Sequence, residues 1–175
     1  TLSLLCIAAV ITGYLGALLG QTATFAAEEF GASDRAQGVL LAMVRIGTLI
    51  TVVVAGLADK HGRKRLLIFS LWSGCAITLL SAASPNIVIL GISQAMARGF
   101  ATAISILIGI MAAEAAPKGS RAYIAGILTL TAGLGAGIPV WLLSLADVHT
   151  RGWRLLFLIS FAFFPVISWL RAQLH

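Results

Sequence analysis

The chain has 175 residues, of which 59% are hydrophobic and only 10% charged, with a net charge of +6. A soluble domain carries about 25% charged residues, so this chain lacks the polar surface to cover a globule in water, and its mean hydropathy of +1.01 points to lipid as its solvent. The positive charge could suggest a nucleic-acid partner, but it collects at the ends of long apolar runs and so excludes that class.

Taken in chain order, six apolar runs are predicted to be membrane-spanning helices, over residues 2–27, 37–58, 66–84, 87–113, 122–146 and 155–170. Each approaches the length of about 20 residues that a helix needs to cross the hydrocarbon core. None shows the alternation of a membrane-barrel strand, and backbone groups in lipid must pair within their own segment. The expected fold class is an all-α membrane protein, a six-transmembrane-helix bundle. Turn formers mark the boundaries: Gly31, Gly62, Ser84-Pro85-Asn86, Pro117-Lys118-Gly119 and Arg151-Gly152.

The first run is too long for a cleavable leader and lacks a basic start. With Thr1 at or inside a span, the chain is expected to be a piece of a longer protein. Tyr14, Gln21 and Thr24 supply its polar groups, and they suit a cavity or plain helix packing equally. Cys6 and Cys75 lie inside apolar runs with no ligand spacing around them and read as small core residues.

The second run carries Arg45, about eight residues in, and ends in the only dense charge cluster of the chain, Gly56-Leu57-Ala58-Asp59-Lys60-His61-Gly62-Arg63-Lys64-Arg65. A random basic loop would supply the cations but has no need of Gly56, Asp59 and Gly62 at fixed offsets. The spacing G-x-x-x-D-x-x-G-R-K-R resembles the signature loop between the second and third helices of the major facilitator superfamily. That resemblance implies the amino-terminal half of a twelve-helix transporter, built from two inverted three-helix repeats. It also implies a conformational latch made by Gly56, Asp59, Gly62, Arg63, Lys64 and Arg65, in which Asp59 meets a helix of the second half when the cytoplasmic side is closed.

Arg98 lies about a dozen residues into the fourth run. At about 1.5 Å per residue, it and Arg45 fall roughly one third to half way from the outer face. A guanidinium at that depth costs several kcal/mol unless it faces water, a carboxylate or a bound anion. No acidic residue of the chain lies at matching depth, so a substrate anion, a carboxylate elsewhere or a wet cavity must serve. The fourth run also resembles the family's R-x-x-x-G helix imperfectly. Counting back from Glu114-Ala-Ala-Pro117, the expected arginine falls on Gln94, and Arg98 follows one turn later with Gly99 directly after it. Arg45, Gln94 and Arg98 are thus the candidate lining of a substrate or coupling cavity.

The fifth run is glycine-rich. Gly133-x-x-x-Gly137 would let another helix approach closely, and Pro139 adds a kink point. The pattern is partly similar to the family's antiporter motif, which places Gly and Pro adjacent; here Ile138 separates them. Gly152-Trp153-Arg154 looks like the family's start of helix six, with Trp141 and Trp153 expected as interfacial anchors. Asp59-Lys-His61-Gly-Arg63 is echoed by Asp147-Val-His149-Thr-Arg151 after the fifth run, as inverted repeats would require.

Lys60, Arg63, Lys64, Arg65, Lys118, Arg121 and Arg171 follow even-numbered runs, whereas Arg35, Arg151 and Arg154 follow odd-numbered ones. By the positive-inside rule both ends of the segment are expected in the cytoplasm, in a plasma or bacterial inner membrane. No nucleotide-binding loop, zinc-binding helix or nucleophile elbow is present in the sequence, so neither enzyme activity nor a cofactor or metal is expected. Residues 1–175 read as one amino-terminal transmembrane domain, partnered by the bilayer, a small solute and a second six-helix half. The expected function is secondary transport by alternating access, with an organic anion as cargo. Proton-coupled multidrug efflux is the alternative, and a non-transporting six-span sensor or scaffold is the alternative of another class.

Overall fold

The structure is a computed structural model that describes residues 2–117, 119–145 and 152–173, and every regular element among them is a helix. The elements run α1 (Leu2–Glu29), α2 (Asp34–Ile46), α3 (Leu49–His61), α4 (Arg63–Ser81), α5 (Ile87–Ala115), α6 (Arg121–Trp141), α7 (Trp153–Leu158) and α8 (Phe163–Gln173). Short 3-10 turns at Leu142–Leu145 and Ile159–Ala162 extend α6 and join α7 to α8. Together they make six spans long and apolar enough to cross a bilayer. The chain is an all-α, six-span membrane protein.

Two spans are broken where hydropathy runs on without interruption. The second divides at Gly47-Thr48 into α2 and α3. Gly47 is wedged against the backbone of Ala95 in α5, where a Cβ would overlap the Ala95 carbonyl. The loose ends of the broken helix are satisfied locally: the Thr48 hydroxyl donates to the Arg45 carbonyl at 2.7 Å. In the sixth span, Pro165 lies in the first turn of α8, where its ring cannot donate and would crowd the carbonyl four residues back. The 3-10 turn Ile159–Ala162 lies immediately upstream.

The charged loop is shorter than its composition predicts. Gly62 alone is non-helical, at φ +90°, a conformation that other residues rarely adopt. Arg63, Lys64 and Arg65 are therefore the first turn of α4 and not a loop. At the other end of the bundle, Ser33 caps α2 through Ala36 N–H, and Asn86 caps α5 through Ile89 N–H at 2.9 Å.

α1 and α5 form the centre. α1 packs mainly on α6 and α5, while α5 also meets α2, α3 and α4. The α1–α6 approach is backbone to backbone. A Cβ on Gly13 would overlap the Ala132 carbonyl, and one on Gly135 would overlap the Val10 carbonyl. Leu5, Leu15, Leu18, Leu67, Leu71, Ile104, Leu107 and Phe157 fill the core between the helices. Tyr14 is buried among them and its hydroxyl donates to the Leu156 carbonyl.

Candidate functional site

The two intramembrane arginines lie on the elements that meet at the bundle centre. Arg98, on α5, donates through Nη1 to the Gly16 carbonyl of α1. Its side chain is otherwise exposed, and no carboxylate among the described residues pairs with it. A guanidinium carries five N–H donors, so most of its hydrogen-bonding capacity faces outward from the α1–α5 seam. Arg45 is exposed on the last turn of α2. The break after it supplies a reason for a cation at this depth that the sequence did not reveal: a helix ending inside the membrane presents the negative end of its dipole there.

Gln94 faces elsewhere. It is 2% exposed, and its amide donates to Ser81 Oγ of α4 at 2.9 Å, within a cluster that includes Ser93. One helical turn separates Gln94 from Arg98, yet the two meet different neighbours, Gln94 on α4 and Arg98 on α1. Of the expected grouping of Arg45, Gln94 and Arg98, Gln94 is therefore turned into the α4–α5 interface, the i, i+4 spacing being slightly more than one turn.

At the opposite end of α5, Arg63 and Glu114 form an ion pair that ties the start of α4 to the end of α5. Asp59 lies on the last turn of α3, with Gly56 one turn before it. Lys64 and Arg65 are exposed on the first turn of α4. Glu114 was not among the latch residues expected from the sequence, and its position on the last turn of the fourth span was the available signal.

The glycines of α6 divide by face. Gly135 makes the close approach to α1, and Pro139 is buried within α6, which continues through it to Trp141. Around Gly133 and Gly137 a Cβ would meet open space. The close helix approach expected of that pair is thus made by Gly135, and the pair lies on an open face of this bundle. The second copy of the D-x-H-x-R echo, Asp147 to Arg151, lies outside the described residues, as does Lys118.

The end carrying Glu29 holds a cluster that sequence reasoning did not find. Arg154 donates from Nε and Nη2 to the two Glu29 oxygens at 3.2 and 3.0 Å. It also donates to the carbonyls of Ala82 and Ser84, just past the end of α4, at 2.6 and 2.9 Å. Trp153 Nε1 donates to Glu29 at 2.7 Å, and the Arg154 guanidinium lies 5.0 Å from the Trp153 ring centroid. Trp153 is fully buried. It is a core residue and not the interfacial anchor its position implied, whereas Trp141 is exposed.

The sequence model of the Major Facilitator Superfamily matches residues 5–172. The chain belongs to the major facilitator superfamily. No curated protein matches it significantly. Members of the superfamily are membrane transporters of small solutes, and the six spans of this chain fit the amino-terminal half of the superfamily arrangement. The superfamily resemblance of the Gly56–Arg65 segment and the match of the whole chain therefore agree.

Proposed function

We propose that this superfamily member is a secondary transporter of a small organic anion, and that Arg98 is the anion contact. The observation that carries the reading is the Arg98 guanidinium, set mid-span, anchored to α1 by the Gly16 carbonyl and left with donors to spare. In a site shielded from water such a charge needs an anionic counterpart, and planar donors suit a carboxylate or phosphate. Arg45, beside the break in the second span, is a second cation for the same solute.

The rest of the machinery follows from the superfamily. A second six-helix half would cover the exposed apolar faces of α2, α3 and α6, which include Ile46, Val52, Val53, Leu130 and Leu134. The Gly133/Gly137 pair suits a close contact with that half. The segment of Gly56, Asp59, Gly62, Arg63, Lys64 and Arg65 would act as a latch on the cytoplasmic side, with Glu114 engaging Arg63. The distribution of Lys and Arg supports cytoplasmic ends for this segment, and an ion gradient or the solute's own gradient would drive the cycle.

The test is thermal stability of the purified protein in detergent against panels of organic anions, organic cations and neutral sugars, for wild type and Arg98→Ala. A ligand that binds the folded state raises the melting temperature by mass action. Anions are expected to stabilise wild type and not the variant. Stabilisation by apolar cations in both proteins would overturn the anion reading in favour of multidrug efflux.

A further inference from the structure

The second span is held differently on the two sides of its break. Around Gly47-Thr48 the backbone bonds reach back three residues: Thr48 N–H donates to the Arg45 carbonyl at 3.1 Å, and Ile50 to Gly47 and Thr51 to Thr48 at 3.0 Å. Such a tightened stretch within a helix is a common form of hinge. α5 meets it with bare backbone, since a Cβ on Gly99 would overlap the Gly47 carbonyl and the Ile50 side chain.

On the Asp59 side of the break, α3 is pinned. Ile50 lies against Gly99, and the buried Thr51 hydroxyl donates to the Gly99 carbonyl at 3.0 Å. On the Asp34 side, α2 rests on α5 through apolar side chains. Leu40 and the flexible Met43 lie over Gly91, which presents no side chain to hold them. At the first turns of α2 and α5 a groove of about 350 Å³ lies between the two helices, lined by Val39 and Met43 from one and by Ile87 and Val88 from the other.

A pin on one side, a hinge in the middle and a gap on the other leave α2 one direction of easy movement. We infer that α2 is a gate: it swings as a unit about Gly47-Thr48, opening and closing the groove against α5, while α3 keeps its place. Arg45 is on the last turn of α2, and Arg98 adjoins the Gly99 on which the hinge rests, so the swing turns Arg45 relative to Arg98. That effect on the anion site rests on Arg98 being the anion contact; the swing itself does not.

The test is a pair of spin-label distance measurements on the purified protein in lipid nanodiscs, with no solute added. The labels are carried on introduced p-acetylphenylalanine, so that Cys6 and Cys75 stay in place, and all four positions are exposed. One pair, at Val39 and Leu80, reports α2 against α4; the other, at Val53 and Phe69, reports α3 against α4. The Val39–Leu80 distances are expected to spread about twice as widely as the Val53–Phe69 distances, since freezing captures hinge positions as an ensemble. Gly91→Leu, which fills the floor of the groove, is expected to narrow the first distribution, and Thr51→Val to broaden the second. Equal widths in the two pairs, narrow or broad, would overturn the gate, as would a first distribution that Gly91→Leu leaves unchanged. A second distribution that stays narrow in Thr51→Val would overturn the pin.

Discussion

Arg154 and Glu29 lie 125 residues apart in sequence and meet in a two-pronged ion pair. Their side chains are only 23% and 12% exposed, so solvent screens them less than it would a surface pair. Because Arg154 also holds the Ala82 and Ser84 carbonyls, it ties the end of the first span, the end of the third and the start of the sixth.

Arg154→Lys keeps the charge but cannot make two parallel bonds to Glu29 while holding two carbonyls. A loss of about 2 kcal/mol is expected, which for a chain of this size lowers the melting temperature by roughly 4–8 °C. Glu29→Gln should cost less than Arg154→Lys, because the Gln oxygen still accepts from Trp153. Thermal unfolding of both variants and of the double variant measures the coupling, and additive effects would show that the pair does not act as a unit.

Gly135→Ala forces a methyl group into the Val10 carbonyl and must spread α1 from α6. Destabilisation of about 2 kcal/mol or more is expected. Gly133→Ala and Gly137→Ala meet open space and gain helix propensity, about 1 kcal/mol each at most. These two should melt no lower than wild type. If they nevertheless slow transport of a solute found in the ligand screen, the open glycine face contacts a helix outside this bundle.

Glu114→Gln breaks the pair with Arg63, whose side chains are 60% and 34% exposed. A pair so open to solvent contributes about 0–1 kcal/mol, and the melting temperature should move by no more than about 4 °C. A latch role predicts a change in transport rate all the same, read in proteoliposomes. An unchanged rate would reduce the pair to surface decoration.

Thr51→Val removes the hydroxyl that donates to the Gly99 carbonyl at 3.0 Å. Hydrogen bonds between membrane helices contribute about 0.6 kcal/mol on average, so stability should fall only slightly. Faster amide exchange in residues 47–54 is the more sensitive readout, since this bond pins α3 to α5 just below the break.

The six spans were legible because apolar length is a property of the chain alone, and the basic segment was legible because its glycines and aspartate keep fixed offsets. The breaks were not. Gly47 sits in an unbroken apolar run, and only the arrival of Ala95 from another helix turns it into a contact that divides the span. The glycines of α6 were legible only in part, for a related reason. Gly133 and Gly137 match a packing motif, yet which face of a helix is used depends on its partner, and α1 selects Ala132, Gly135 and Ala136. Gln94 meets α4 whereas Arg98 meets α1, because i, i+4 spacing keeps residues near one another without giving them the same neighbour. The Glu29–Arg154 pair has no local signal at all, since neither residue's surroundings names the other.

The division of the second span gives the bundle a mechanical joint at mid-depth. α2 and α3 are each 13 residues long, so each is a lever arm of about 20 Å. A change of about 10° at Gly47-Thr48 would swing the far end of either arm by roughly 3 Å, about the width of a water molecule. One arm begins near Arg35 and the other ends near Asp59, so the second span reaches its two ends through separate helices that both pack on α5.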